Sequence, residues 1–211
     1  MVYYNLQHLV QEDSQEVWGP IQDDEALFLY SIIRCKRISR ILEIGGLSGY
    51  SAKNFLEALK FPGNNGILYT CDINEVPKQS DNHKILTKDG RDLTIDDIDN
   101  KPIDMIFFDC HDMVQMDIYH RLLNSNIIND KTIIALHDTN LHFTQFHPDA
   151  KFIPSENGYV GCGWVERVMV NQFKDLGYDI FNIFTDASNH SIDFPFRHGI
   201  TVCQKNKKLL V

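Results

Sequence analysis

The sequence offers no cysteine pairing pattern. Its five cysteines, Cys35, Cys71, Cys110, Cys162 and Cys203, are odd in number, scattered, and nowhere spaced Cys-x-x-Cys. That argues against a disulfide framework and against a cysteine zinc site. They read as reduced thiols packed as small apolar side chains. No apolar stretch approaches the roughly 20 residues that span a bilayer, and residues 1–8 do not join a basic region to an apolar core. No membrane association is expected, and the expected location is the cytoplasm. Positive charge is scarce: 20 Lys and Arg stand against 29 Asp and Glu, a formal net charge of −9. Beyond the short basic tail of Lys205, Lys207 and Lys208 there is no stripe of cations, so nucleic acid is not an expected partner. Repeats and low-complexity linkers are also absent. The 211 residues read as one α/β domain over 23–211, able to bury roughly 70% of its unfolded surface. Residues 1–22, closing in Trp18-Gly19-Pro20, read as an N-terminal extension that could cap a ligand or a partner subunit, and a homo-oligomer stays open.

What is present is a glycine turn behind a short apolar run: Ile41-Leu42-Glu43-Ile44-Gly45-Gly46-Leu47-Ser48-Gly49-Tyr50-Ser51. Glycine lets the backbone turn with positive φ and approach a ligand closely, and a helix beginning near Tyr50 aims its first N–H groups at the turn. The dinucleotide fingerprint Gly-x-Gly-x-x-Gly fails, because Leu47 and Tyr50 stand where its second and third glycines belong. The pattern suits a nucleoside-like ligand other than NAD.

Three further apolar runs end in acids. Residues 66–72 end at Asp72, 103–109 at Asp109, and 132–136 run into His137-Asp138. Ligands of open α/β sheets gather outside the carboxyl ends of parallel strands, so Glu43, Asp72, Asp109 and Asp138 are expected around one crevice. Four acids in one place are costly unless something cationic sits among them. The remaining pattern predicts a helix with Ala26, Leu29, Tyr30 and Ile33 inward and a helix over 50–59. It also predicts a strand over 83–87, a helix marked by Met113, Met116, His120 and Leu123, and a helix marked by Val165, Val168, Met169 and Leu176. Two late β-rich runs cover 178–185 and 199–204, with a loop between them carrying His190, Phe194, Pro195 and His198. Residues 139–161 show no periodicity, as long functional loops often do not.

The ordered series Glu-x-Gly-x-x-x-Gly-Tyr-Ser, an acid closing the second strand, Lys88-Asp89-Gly90-Arg91-Asp92-Leu93, Phe-Phe-Asp and His-Asp-Thr resembles the class I S-adenosylmethionine-dependent methyltransferases. Within them it is most similar to the small-molecule, metal-dependent O-methyltransferases, including the catechol, antibiotic-sugar and cephalosporin-hydroxylase-like branches. The likeness covers about residues 23–205. It implies a Rossmann-like doubly wound α/β fold with a seven-stranded sheet of order 3-2-1-4-5-7-6, strand 7 antiparallel, and helices on both faces.

The resemblance also implies roles. Glu43, Gly45, Gly46, Gly49 and Ser51 would hold the methionyl part of S-adenosylmethionine. Asp72 would accept the ribose hydroxyls, since a carboxylate can take two such bonds. Asp89 and Gly90 would lie near the adenine, although Lys88 stands where the family has glycine. Asp109 would border both cofactor and chemistry, and with Asp138 and His137 would hold a divalent metal. Oxygen ligands suit Mg2+, whereas a histidine ligand admits Mn2+, iron or zinc. If His137 is not a ligand, Asn140 or water would complete the site. His111 is placed as general base, its imidazole titrating near neutrality, with Asp112 as the alternative. His142 and His147 could line the pocket of a small hydroxylated acceptor, a sugar or a phenol. Three rivals stay open: a metal-independent methyltransferase, a non-catalytic nucleoside-binding protein, and a hydroxylase-like activity, for which no convincing oxygen-activating iron triad is visible.

Overall fold

The computed structural model describes residues 21, 23–61, 63–110, 114–139, 165–183 and 199–205. The chain runs α1 (Asp23–Lys36), β1 (Arg40–Ile44), α2 (Tyr50–Leu59), β2 (Ile67–Asp72), β3 (His83–Thr87), β4 (Met105–Phe108), α3 (Gln115–Asn124), β5 (Ile133–Leu136), α4 (Val165–Asp175), β6 (Tyr178–Ile183) and β7 (Ile200–Lys205). Two short 3₁₀ turns, Gly90–Asp92 and Ile95–Ile98, join β3 to β4. The strands form one sheet of order β3-β2-β1-β4-β5-β7-β6. β1 to β5 pair parallel, and β7 lies antiparallel to both β5 and β6. This is the architecture the resemblance implies.

The sheet is covered on both faces, and its central strands β4 and β5 are accordingly apolar at every position, not at alternate ones. In β4, Met105 and Phe107 face one way and Ile106 and Phe108 the other, and all four are buried. On one face Ile41, Leu68, Met105, Phe107 and Ala135 pack against α1 and α2 through Leu29, Ile33, Phe55 and Leu59. On the other, Leu42, Tyr69, Ile106, Phe108 and Leu136 pack against α3 and α4 through Ile118, Tyr119, Leu122, Met169 and Phe173. Strand order reverses between β1 and β4, so the connections leaving these two strands part and open a crevice above their carboxyl ends.

The inward stripe expected for α1 is the observed one: Ala26, Leu29, Tyr30 and Ile33 are all buried. Two other helices turn differently from expectation. α3 buries Gln115, Ile118, Tyr119 and Leu122, leaving His120 exposed and Met116 and Leu123 only partly covered. α4 buries Glu166, Met169, Val170 and Phe173, with Val168 and Leu176 exposed. In both cases a polar residue sits on the inner face, and the two meet: Gln115 Nε2 donates to Glu166 Oε1 at 2.6 Å. The N-terminal extension apart from Ile21, the 139–161 loop past Thr139 and the loop holding His190, Phe194, Pro195 and His198 lie outside the described residues. Among the described residues, no helix is long and apolar enough to cross a membrane.

Candidate functional site

β1 passes into the turn 45–49, and α2 starts immediately after it. Gly45 has φ +92°, and a Cβ there would lie 2.5 Å from the backbone carbonyl oxygen of Asp109. Glycine is therefore required where β1 and β4 diverge. Gly49, at φ +76°, caps α2 without any side-chain bond, so the first amides of the helix face the turn. Asp72 supports this turn from β2. Its Oδ2 accepts from the amides of Gly46 at 2.8 Å and Leu47 at 3.2 Å, and its Oδ1 accepts from Asn74 N–H at 2.8 Å. The turn and the second acidic strand end are thus one unit.

Under the turn Glu43 is fully buried. Ser51 Oγ donates to its Oε1, and Thr70 Oγ1 donates to its Oε2 at 2.6 Å. His83 extends the chain: its Nδ1 accepts from Gln79 N–H at 3.1 Å, which leaves Nε2–H to donate to Thr70 Oγ1 at 2.8 Å. Burial pushes the Glu43 carboxyl up to about 7; the Ser51 and Thr70 hydroxyls pull the other way, and the charges of Asp109 and Asp72 add to the rise. Burial, helped by Lys78, pushes His83 down to about 4, in keeping with a neutral ring.

On the far side of the switch point lies a second cluster. His137, immediately past β5, is 0% exposed. Its Nδ1 lies 2.9 Å from Asp109 Oδ1, while its Nε2 lies 3.3 Å from Glu25 Oε2 and 3.5 Å from Asp138 Oδ1. Burial opposes a charge on the ring, but Asp138, Asp109 and Glu25 outweigh it and hold the pKa well above 6.5. Glu25 is anchored by its other oxygen, which accepts from Gly199 N–H at 2.5 Å. Asp138 occupies the left-handed region at φ +53°, a conformation that non-glycine residues hold only when their surroundings impose it.

The crevice thus gathers the four expected acids in two linked groups. Glu43 senses both Asp72 and Asp109, and Asp109 and Asp138 reach one shared imidazole. The set Asp109, His137 and Asp138 does not fit a metal ion in the way the resemblance implies. A ligating imidazole offers one nitrogen lone pair to the cation and hands its other N–H to a second partner. Here both nitrogens face carboxylate oxygens, and among the described residues no group of three or more His, Cys, Asp or Glu side chains is arranged to hold a metal.

Asp89 lies on the same rim, but its carboxylate caps the following turn through Arg91 N–H at 2.8 Å and pairs with the Arg91 guanidinium, which holds its pKa low. Gly90 is buried against Ile118, where a Cβ would come within 3.0 Å of Ile118 Cδ1. His111, Asp112, Asn140, His142 and His147 lie outside the described residues. Sequence reasoning passed over Glu25, Thr70 and His83. For Glu25 a signal existed: it stands four residues before Leu29 on the stripe that buries α1, a place where an acid needs a partner.

No family model matches the sequence, and no curated protein matches it. Solved structures do match in fold. An SAH-bound methyltransferase from Podospora anserina is 15% identical with a TM-score of 0.57, over 91% of this chain and 80% of that one. An O-methyltransferase from Bacillus cereus in complex with SAH is 16% identical with a TM-score of 0.58, over 91% and 84%. The O-methyltransferase TomG from Streptomyces achromogenes, involved in tomaymycin synthesis and solved with SAM, is 15% identical with a TM-score of 0.57, over 88% and 82%. With the strand order and the glycine turn at the switch point, these matches identify the fold of this chain as that of the class I methyltransferases.

Proposed function

We propose that the protein transfers a methyl group from S-adenosylmethionine to a hydroxyl of a small molecule. The observation that carries this reading is the glycine turn tied to Asp72 and floored by Glu43, at the switch point of a sheet with this strand order. The three similar structures named above were solved with SAM or SAH, and two of them are O-methyltransferases by name.

The chemistry sets what the residues must do. The acceptor oxygen displaces the methyl carbon from the sulfonium in line, the C–S bond breaks, S-adenosylhomocysteine leaves, and the hydroxyl proton passes to a base. Asp72 has about four acceptor positions, of which backbone amides take three, leaving room for one ribose hydroxyl instead of both. Glu43, which has no cationic partner among the described residues, favours a positively charged ligand above the turn. Asp109 sits where the acceptor must approach, and His111 is the residue assigned the proton. No step is routed through a metal, since the described donors do not fit one.

Titration calorimetry with S-adenosylmethionine and S-adenosylhomocysteine, followed by a methyl-transfer screen of hydroxylated metabolites, tests the proposal. Binding with turnover supports it. Binding without turnover on any hydroxyl points to a nucleoside-binding protein, and no binding sinks it.

A further inference from the structure

We propose that His83 is a positioning residue for the cofactor turn: it fixes the rotamer of Thr70 and the seat of residues 76–79, the two supports on which Gly46 and Gly49 rest. That the turn holds S-adenosylmethionine rests on the function proposed above; how the turn is supported does not.

The glycines of the turn lean on β2 and on the stretch that follows it. A Cβ on Gly46 would collide with Thr70 Cγ2 and come within 3.1 Å of Val76 Cγ2, so the Gly46 backbone rests on these two methyl groups. A Cβ on Gly49 would meet Gln79 Nε2 at 2.8 Å and the Pro77 carbonyl oxygen at 3.5 Å. Thr70 is fully buried and stands opposite Glu43 in the β1–β2 register. Its methyl carries Gly46 while its hydroxyl holds Glu43 Oε2 at 2.6 Å. Rotation about χ1 would move both groups off their partners at once.

His83 settles which way Thr70 points. Its ring is buried, and Gln79 N–H donates to Nδ1 at 3.1 Å, so that nitrogen carries the lone pair and the proton of the neutral ring sits on Nε2. Nε2 lies 2.8 Å from Thr70 Oγ1. Threonine has one hydroxyl proton, and with the ring donating to its oxygen that proton is left for Glu43. In the opposite tautomer Thr70 would have to donate to the ring, Glu43 would lose one of its two hydroxyl donors, and the Gln79 amide would face another N–H. One ring therefore holds both supports: the Thr70 side chain under Gly46 and the Gln79 backbone beside Gly49.

The experiment begins on the intact chain, with nitrogen NMR of the histidine rings near neutral pH. His83 is expected as the neutral Nε2–H tautomer; the Nδ1–H tautomer or a charged ring overturns the proposal. His83→Leu removes both bonds. It is expected to weaken S-adenosylhomocysteine binding roughly 10-fold by calorimetry, the scale of one lost hydrogen bond, and to speed amide exchange at Gly46 and Leu47. His83→Gln, whose amide can accept from Gln79 N–H and donate to Thr70, is expected to bring the affinity back to within about 3-fold of the intact chain. A control, Phe173→Leu in the core on the α3–α4 face, is expected to lower Tm and leave the affinity unchanged. Unchanged affinity in a folded His83→Leu, no recovery in His83→Gln, or an equal loss in Phe173→Leu overturns the proposal. Should His83→Leu fail to fold, Thr70→Val takes its place, and unchanged affinity there counts against the proposal in the same way. If the intact chain binds neither S-adenosylmethionine nor S-adenosylhomocysteine, the proposed function falls, and the tautomer with the amide exchange of Gly46 and Leu47 still decides the role of His83.

Discussion

Two buried histidines flank the switch point, and their pKa values are shifted in opposite directions. His83, behind β2, has a hydroxyl on one nitrogen and a backbone amide on the other, and burial drives it to about 4. His137, past β5, is at least as deeply buried but faces three carboxylates, and it is held well above the ordinary range. Burial pushes both rings the same way, so the difference lies in the count of neighbouring anions. The acids divide accordingly. On the β4–β5 side the carboxylates face an imidazole whose pKa they raise against its burial. On the β1–β2 side Glu43 has only hydroxyl donors and drifts up to about 7. A site short of one positive charge is the one suited to a sulfonium ligand.

The comparison breaks most visibly if the two histidines are removed in turn. His137→Leu removes the imidazole that contacts Glu25, Asp109 and Asp138 and is expected to cost about 3–5 kcal/mol in urea unfolding. His83→Leu leaves Thr70 and the Gln79 amide short of a partner, for about 1–3 kcal/mol. Equal losses would mean that the anions around His137 do not matter.

Next in size is a pH effect with opposite signs for Glu43 and His83. Its folded carboxyl holds a proton more tightly than the ordinary value of 4.5, so its contribution is full below 4.5 and is lost as pH rises to about 7. The whole change is worth roughly 3 kcal/mol at 1.36 kcal/mol per unit. His83 runs the other way: its neutral ring stabilises above 6.5, and that stability is lost as pH falls toward 4. The two slopes oppose each other in the intact chain. Glu43→Gln is expected to raise stability above pH 7 and to expose the acid loss due to His83. A flat profile for Glu43→Gln, by chemical denaturation from pH 4 to 8, would contradict this.

Much of the fold was legible because parallel strands buried on both faces read as continuous apolar runs, and those ending at Asp72 and Asp109 carry their acids with them. The glycine turn was legible for a local reason too, since Gly45 and Gly49 occupy positions that disfavour a side chain. What stayed hidden is non-local and polar. The inner faces of α3 and α4 were misread because each carries one half of the Gln115–Glu166 bond, and a polar residue breaks the apolar period. Glu25 and His137 are 112 residues apart, so nothing near either one names its partner. His137 reads as a candidate ligand from its place between acids at a strand end, and its contact with Glu25 adds a partner that the local sequence does not name.

On the ligand side, Asp72→Ala removes the acceptor for three backbone amides and for the remaining ribose hydroxyl. It is expected to weaken S-adenosylhomocysteine binding roughly 10- to 100-fold by calorimetry, the loss of about 1.5–3 kcal/mol typical of hydrogen bonds to a charged group. An unchanged affinity would detach Asp72 from the cofactor and leave it only a turn-forming role.

The smallest effect is the sharpest test of why Glu43 titrates where it does. Ser51 Oγ donates to Glu43, and that bond favours the carboxylate over the acid. Removing it with Ser51→Ala raises the Glu43 pKa further, so the variant is expected to lose about 1 kcal/mol relative to the intact chain. The loss should be larger at pH 8, where Glu43 must be charged, than at pH 5, where it is already protonated. A cationic ligand supplies the charge that Glu43 lacks, so saturating S-adenosylmethionine should shrink the pH 8 difference more than S-adenosylhomocysteine, which has no sulfonium. If both ligands shrink it equally, the positive charge above Glu43 comes from a group the two share.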